Sequence, residues 1–256
     1  MSGTVFLVPN TIGGNAEDTI SPAALAISRH LHYWVAEDAK SARRFLRSIH
    51  PDLPLQSIRI STLDKDSTTE SVGELLRPVE AGEDVGVLSE AGCPGIADPG
   101  AALVKVAHQR ELKVVPLIGP SSILLALMAS GMNGQHFIFH GYLPVDTEPL
   151  VRKIREIESA SGRNNRTEIF IETPYRNERL MKHLVATLAS DTLLCVASNL
   201  TVMDQRVRTM TVSQWKKTGI AVPNGTPTVY LVSAGGNAMT TGKKPAPLRN
   251  NSKSTR

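Results

Sequence analysis

Cysteine is scarce in this chain, and Cys93 and Cys195 stand far apart with no metal-ligand spacing around either. That pattern excludes a disulfide framework and leaves no basis for a zinc site, so no metal is expected. Aromatic residues make up only 4% of the sequence, and the two tryptophans do not interleave with basic residues as a base-stacking platform requires. No apolar run approaches the roughly 18 residues that a membrane helix needs. The first residues enter strand-like sequence with no basic region ahead of an apolar segment, so the expected location is cytoplasmic and no membrane partner is expected. Also missing are Gly-x-Gly-x-x-Gly and a lysine-bearing phosphate loop, which removes the usual signs of a dinucleotide crevice or a nucleotide triphosphatase. His30, His32, His136 and His140 come in pairs, but none joins a serine or cysteine in a hydrolase pattern, and they read as polar fillers.

Acidic and basic residues nearly balance once the tail is set aside. From Gly235 onward the chain carries Lys243, Lys244, Arg249, Lys253 and Arg256 and no acid, so the formal net charge of +4 resides there and the remainder is slightly acidic. Without a hydrophobic period, residues 235–256 read as a disordered basic tail. What is plentiful is core material: 41% of the 256 residues are hydrophobic, enough for one large or two ordinary domains.

Periodicity organises that material into alternating strands and helices. Thr4 to Pro9 reads as a buried strand, Ser21-Pro22 as a helix cap with proline in the first turn, and Tyr33 to Ala36 as a second strand. Ala42, Phe45, Leu46 and Ile49 recur at helical spacing, with Lys40, Arg43, Arg44 and Arg47 on the solvated face. A strand over 57–63, a helix over 69–81 strained by Pro78, strands over 85–88 and 113–118 and a helix between them complete a first half with a mainly parallel sheet. Beyond it lie an almost wholly apolar helix from Ser121 to Gly131, a strand over 137–140, a charged helix over 150–157 and a polar loop over 161–166. Strands over 168–172, 193–197 and 228–232 follow, with a helix through Leu180 and Leu188. The apolar helix is expected to be buried on several sides, where two domains meet. The expected fold is therefore α/β in two lobes, 1–117 and 118–234.

The segment Ser89-Glu90-Ala91-Gly92-Cys93-Pro94-Gly95-Ile96-Ala97-Asp98-Pro99-Gly100 carries most of the functional signal. Two Pro-Gly turns at the end of a strand leave backbone groups bare, where a small ligand can approach closely. Asp98, just before a proline, reads as a helix cap that also lies where ligands collect. Ser121 and Ser122 open the apolar helix, so they read either as caps or as contacts to an anionic group at the helix N-terminus. Glu37-Asp38, at a strand end, read as a solvated acidic pair or a general base, and Glu90 is ambiguous in the same way.

Several segments resemble, in order, the tetrapyrrole methylase superfamily: Thr4-Val-Phe-Leu-Val-Pro9, Ala36-Glu-Asp38, Leu88 to Gly100, Val114 to Ser122, Ala129-Ser-Gly131 and Ile169 to Arg176. The resemblance covers residues 4 to about 232. It implies two lobes of the tetrapyrrole methylase type with S-adenosylmethionine in the cleft between them, within a homodimer. It further implies that Ser89, Ala91, Gly92 and Cys93 hold the cofactor through backbone groups and that Pro9 lines its pocket. Ser121 and Ser122 would add polar contacts, while Glu172-Thr173 and Ala197-Ser198-Asn199 would enclose the adenine. The branch it is most similar to methylates a cytidine ribose 2′-hydroxyl in ribosomal RNA of the small subunit, and a hydroxyl acceptor profits from a carboxylate that takes its proton. Asp38 is named first for that role and Glu90 second. Asn10-Thr-Ile-Gly-Gly-Asn15, Ala39-Lys40 and Thr173-Pro-Tyr-Arg176 depart from the branch's pattern. Two alternatives stay open beside RNA methylation: a methyltransferase acting on a small tetrapyrrole precursor, and an RNA-associated protein that binds the cofactor without turnover.

Overall fold

The computed structural model describes residues 2–64, 66–219, 222 and 224–235; the tail expected from Gly235 onward lies, from residue 236, outside them. Strand β1 (Thr4–Val8) leads through helix α1 (Ala16–Thr19) to α2 (Pro22–His30), then β2 (Tyr33–Ala36), α3 (Ala39–Ile49) and β3 (Arg59–Thr62). Helices α4 (Thr69–Leu75) and α5 (Arg77–Glu80), strand β4 (Val85–Leu88), α6 (Gly100–Gln109) and β5 (Lys113–Pro116) complete the first sheet and its covering. Its order is β3-β2-β4-β1-β5, and every pairing is parallel. All its strands therefore end on one edge, and both faces are buried. Trp34, Phe45, Leu46 and Ile49 fill one side under α2 and α3, while Val5, Val85, Leu103 and Val106 fill the other.

Local chemistry sets the helix bounds. Ser21 accepts the Ala24 amide at 3.2 Å and Pro22 needs no partner, so α2 starts there. The single helix expected over 69–81 is instead two, broken at Leu76, because Pro78 has no amide to give to the carbonyl one turn back.

The second sheet is mixed. Helix α7 (Ser122–Ser130), strand β6 (Phe137–Tyr142), α8 (Thr147–Asn164), β7 (Thr167–Glu172) and α9 (Asn177–Thr187) precede β8 (Leu193–Ser198), β9 (Arg206–Thr211), α10 (Val212–Thr218) and β10 (Thr228–Ser233). The order is β6-β7-β10-β8-β9, so the last described strand lies in the middle, antiparallel to both neighbours. Phe170, Tyr230 and Trp215 pack under α8, α9 and α10 on one face. Ile169, Leu231 and Cys195 pack under α7 on the other.

Three expectations for this half are corrected. The loop expected over 161–166 is mostly the last turn of α8: Ser161 is fully buried, its hydroxyl donates to the Arg166 carbonyl at 2.7 Å, and only Asn165 turns left-handed (φ 47°). Strand β9 and helix α10 have no counterpart in the expected order, since Arg206-Val-Arg-Thr-Met-Thr211 alternates with few apolar residues. Finally, α7 is not buried all round. Ala126, Leu127 and Ser130 face the sheet, while Leu124 is 50% and Met128 79% exposed, one turn apart on the outer face. No helix among the described residues is long and apolar enough to cross a membrane.

Candidate functional site

The two sheets meet over a cavity of about 540 Å³. Its floor is the carboxyl edge of the first sheet, where β4 runs into the Pro-Gly loop. Its roof is the end of the second sheet, where Glu172 and Thr228 stand side by side in register. The lining takes in 89–93 and 96–98 from the loop and 121–123 from the start of α7, so the two bare segments share one space. A sulfhydryl joins them, since Cys93 Sγ reaches the Pro120 carbonyl at 3.4 Å.

Internal bonds fix the loop and leave its amides available. Asn10 Nδ2 donates to the Ser89 and Glu90 carbonyls, both at 3.0 Å, and Asn10 forms an antiparallel bridge with Gly92 through its own backbone. The Ser89 hydroxyl turns back on the Ala91 and Gly92 carbonyls. Asp98 accepts the Gly95 amide at 2.9 Å and the Gly100 amide at 2.7 Å, stapling the far end of the loop. Among the described residues, the amides of Ala91 and Cys93 make no hydrogen bond. Gly92 is left-handed (φ +72°), and a Cβ there would press within 3.3 Å of Ile12. Free amides on a tight loop, beside a cavity of ligand size, fit the amino-acid and ribose parts of S-adenosylmethionine.

Acidic groups dominate the electrostatics. Burial pushes the Glu37 carboxyl up, and the neighbouring Glu90 and Asp98 add to it. Burial also raises Asp98, against the Gly95 and Gly100 amides that favour its ionised form. Tyr142, opposite, is raised by burial and by Glu172, Glu37 and Glu90 together. The Cys93 thiol is pushed up by burial and by Asp98, which leaves it a poor nucleophile.

A model of the Tetrapyrrole (Corrin/Porphyrin) Methylases matches residues 13–216. The chain belongs to that family. Ribosomal RNA small subunit methyltransferase I of Pseudomonas aeruginosa is 33% identical over 175 residues, which are 68% of this chain and 58% of that protein. The protein of the same name from Xylella fastidiosa is 31% identical over 205 residues, 80% of this chain and 71% of that one. The chain thus spans about three fifths to seven tenths of these relatives. Among solved structures, the methyltransferase CobJ superposes with a TM-score of 0.61 at 19% identity, over 91% of this chain and 95% of CobJ. Diphthine synthase gives 0.62 at 16% identity, over 91% and 90%. These likenesses show a shared fold.

Within this tetrapyrrole methylase, the expected site residues divide. Ser89, Glu90, Ala91, Gly92, Cys93, Asp98, Ser121, Ser122, Glu172 and Ala197 line the cavity. Pro9, Asp38, Thr173, Ser198 and Asn199 do not. Pro9 is buried behind the wall against Gly119. The Asp38 carboxylate caps α3, accepting the Ser41 amide at 2.7 Å, and that amide together with the Ser41 hydroxyl holds its carboxyl below the ordinary range. Thr173 and Arg176 turn onto Glu172, whose Oε1 accepts the Thr173 amide and both Nε and Nη2 of Arg176. Ser198 bonds Thr228, and Asn199 is turned away onto Asp204.

Sequence reasoning misses Ile12, Phe139, Tyr142, Leu200, Thr228 and Val229 on the cavity wall, and misses Asn10 as the clamp. It marks Glu37 only as half of an acidic pair. The departure at Asn10 from the family's usual start is the one signal for the clamp. Nothing local marks the others: the pairing of β10 between β7 and β8 brings in Thr228 and Val229, and β6 carries Phe139 and Tyr142.

Proposed function

We propose that this chain is a methyltransferase that uses S-adenosylmethionine and acts on ribosomal RNA of the small subunit, at a cytidine ribose 2′-hydroxyl. The likeness to ribosomal RNA small subunit methyltransferases supports the RNA substrate, and one observation carries the cofactor: free amides on the loop after β4 share a cavity with the start of α7. When bound, S-adenosylmethionine supplies an electrophilic methyl group whose leaving group departs neutral, so alignment and exclusion of water can carry much of the acceleration. The loop amides of Ala91 and Cys93 bind the donor's polar end, with Ser121 and Ser122 facing them. Glu90 takes the proton of the acceptor hydroxyl, and its position on the wall beside Glu37 supports that role over Asp38, whose carboxylate is held by Ser41.

The same reading divides the chain near residue 117, puts it to work in the cytoplasm and makes it a homodimer. The outer stripe of α7, Leu124 and Met128 with Ile118 78% exposed just before it, supports the pairing. Sedimentation of the wild type against Met128→Glu tests it, a dimer being expected only of the former.

Calorimetric titration with S-adenosylmethionine, followed by labelled-methyl incorporation into 30S particles from a strain lacking the activity, tests the reaction. Incorporation into porphyrin precursors instead would replace RNA with a small acceptor, and binding without transfer to either would leave a non-catalytic protein.

A further inference from the structure

A second cavity, of about 510 Å³, adjoins the first, and Glu90 lines both. Its wall on one side is a single face of α3, where Ser41, Arg44, Phe45 and Ser48 follow helical spacing. On the other side stand Glu17 and Asp18 of α1. Arg44 is the one basic side chain among the described residues of this lining; its neighbours Arg43 and Arg47 are exposed elsewhere on the helix. Phe45 is buried and gives the cavity an apolar floor.

We infer that this second cavity holds the nucleotide that accepts the methyl group, with a phosphate on Arg44 and the ribose turned toward Glu90. The inference rests on the function proposed above and names where its substrate lies. The charge pattern selects the ligand. A guanidinium backed by serine hydroxyls suits one phosphate, and carboxylates opposite it suit an amino donor such as the exocyclic amine of cytosine. A stretch of several phosphates would be repelled by Asp18 and Glu90, while Glu17 is paired with Arg29 at 3.7 Å, so only the target nucleotide enters. At the shared wall the acceptor oxygen forms its bond to the methyl carbon as the sulfur–carbon bond breaks, and the hydroxyl proton passes to Glu90.

The test compares Arg44→Ala, Arg43→Ala and Glu90→Gln for methyl transfer to 30S particles and for calorimetric affinity toward S-adenosylmethionine. Arg44→Ala is expected to raise KM for the particles about tenfold to a hundredfold, the range for losing a charged hydrogen bond. Its cofactor affinity should stay unchanged, and Arg43→Ala should change KM less than about threefold. Glu90→Gln should lower kcat rather than raise KM. Equal KM for the Arg44 and Arg43 variants overturns the inference while leaving the methyltransferase reading intact. Failure of the unaltered chain to methylate the particles overturns both, and a loss of cofactor affinity in Arg44→Ala reassigns Arg44 to the first cavity.

Discussion

Replacing Asn10 by aspartate should damage the loop more than replacing it by alanine, although aspartate is nearly the same size. Asn10 is 8% exposed, and its amide orientation is fixed at both ends: Oδ1 accepts the Thr11 amide at 2.8 Å while Nδ2 donates to two carbonyls at 3.0 Å. Alanine removes all three of these bonds, and at about 0.5–1.5 kcal/mol net for each the loss is roughly 1.5–4.5 kcal/mol. Aspartate keeps the bond from Thr11 but turns a charged oxygen toward the Ser89 and Glu90 carbonyls, in a cavity wall that Glu90 shares. The added repulsion should raise the cost by about 1 kcal/mol or more, on the order expected for an unpaired buried charge. Urea unfolding followed by tryptophan fluorescence reads the effect, and a Trp215→Phe background leaves buried Trp34 as the reporter of the first sheet. Affinity for S-adenosylmethionine should fall in the same order, wild type above alanine above aspartate. An Asn10→Asp variant within about 0.5 kcal/mol of wild type would refute the clamp, since surface substitutions without such a role fall in that range.

Gly119 should not tolerate alanine: a Cβ there would lie 2.2 Å from the Pro9 Cβ, and relieving it should cost about 1–3 kcal/mol and weaken cofactor binding, as calorimetry would show. Glu168 is fully buried and bonds Arg166 Nε and His140 Nε2, each at 2.6 Å, so Glu168→Ala should strand Arg166 and cost about 3–5 kcal/mol in chemical denaturation. That substitution should leave the cofactor's dissociation constant unchanged. Glu37 and Asp98 hold their protons to higher pH in the folded chain than in the unfolded one. The folded state then carries the extra proton, so stability falls as pH rises through the folded values, above the ordinary carboxylate range. Denaturation midpoints between about pH 4 and pH 7 should slope less in Glu37→Gln than in wild type; equal slopes would remove Glu37 from the acidic group.

The first sheet is legible in the sequence because its strands are short, apolar and separated by well-marked helices: Val85–Leu88 is bounded as expected, and Ser21-Pro22 opens its helix. The loop from Ser89 to Gly100 is legible from its glycines and prolines alone; the cap position of α6 is Pro99, and Asp98, one residue ahead of it, holds the loop's end by accepting the Gly95 and Gly100 amides. The second sheet is less so. An antiparallel edge strand such as β9 is half solvated and carries arginines where a buried strand would carry valines. Register is illegible altogether. Glu172 and Ser198 are both expected at the site, but only the insertion of β10 between their strands shows that Thr228 stands between them and takes Ser198's hydroxyl. Likewise Asp38 and Glu37 differ by one residue in a strand end, and which carboxylate faces the cavity follows from the helix cap.

The place of β10 at the centre of the second sheet sets an order on synthesis. Until residues 228–233 have left the ribosome, β7 and β8 have no strand to bridge them, and the roof of the cavity lacks Thr228 and Val229. The first sheet can form while translation continues, but a nascent chain stopped short of β10 holds a finished loop under a roof without its central strand. Competence to bind the methyl donor should therefore arrive in one step, with the arrival of that strand.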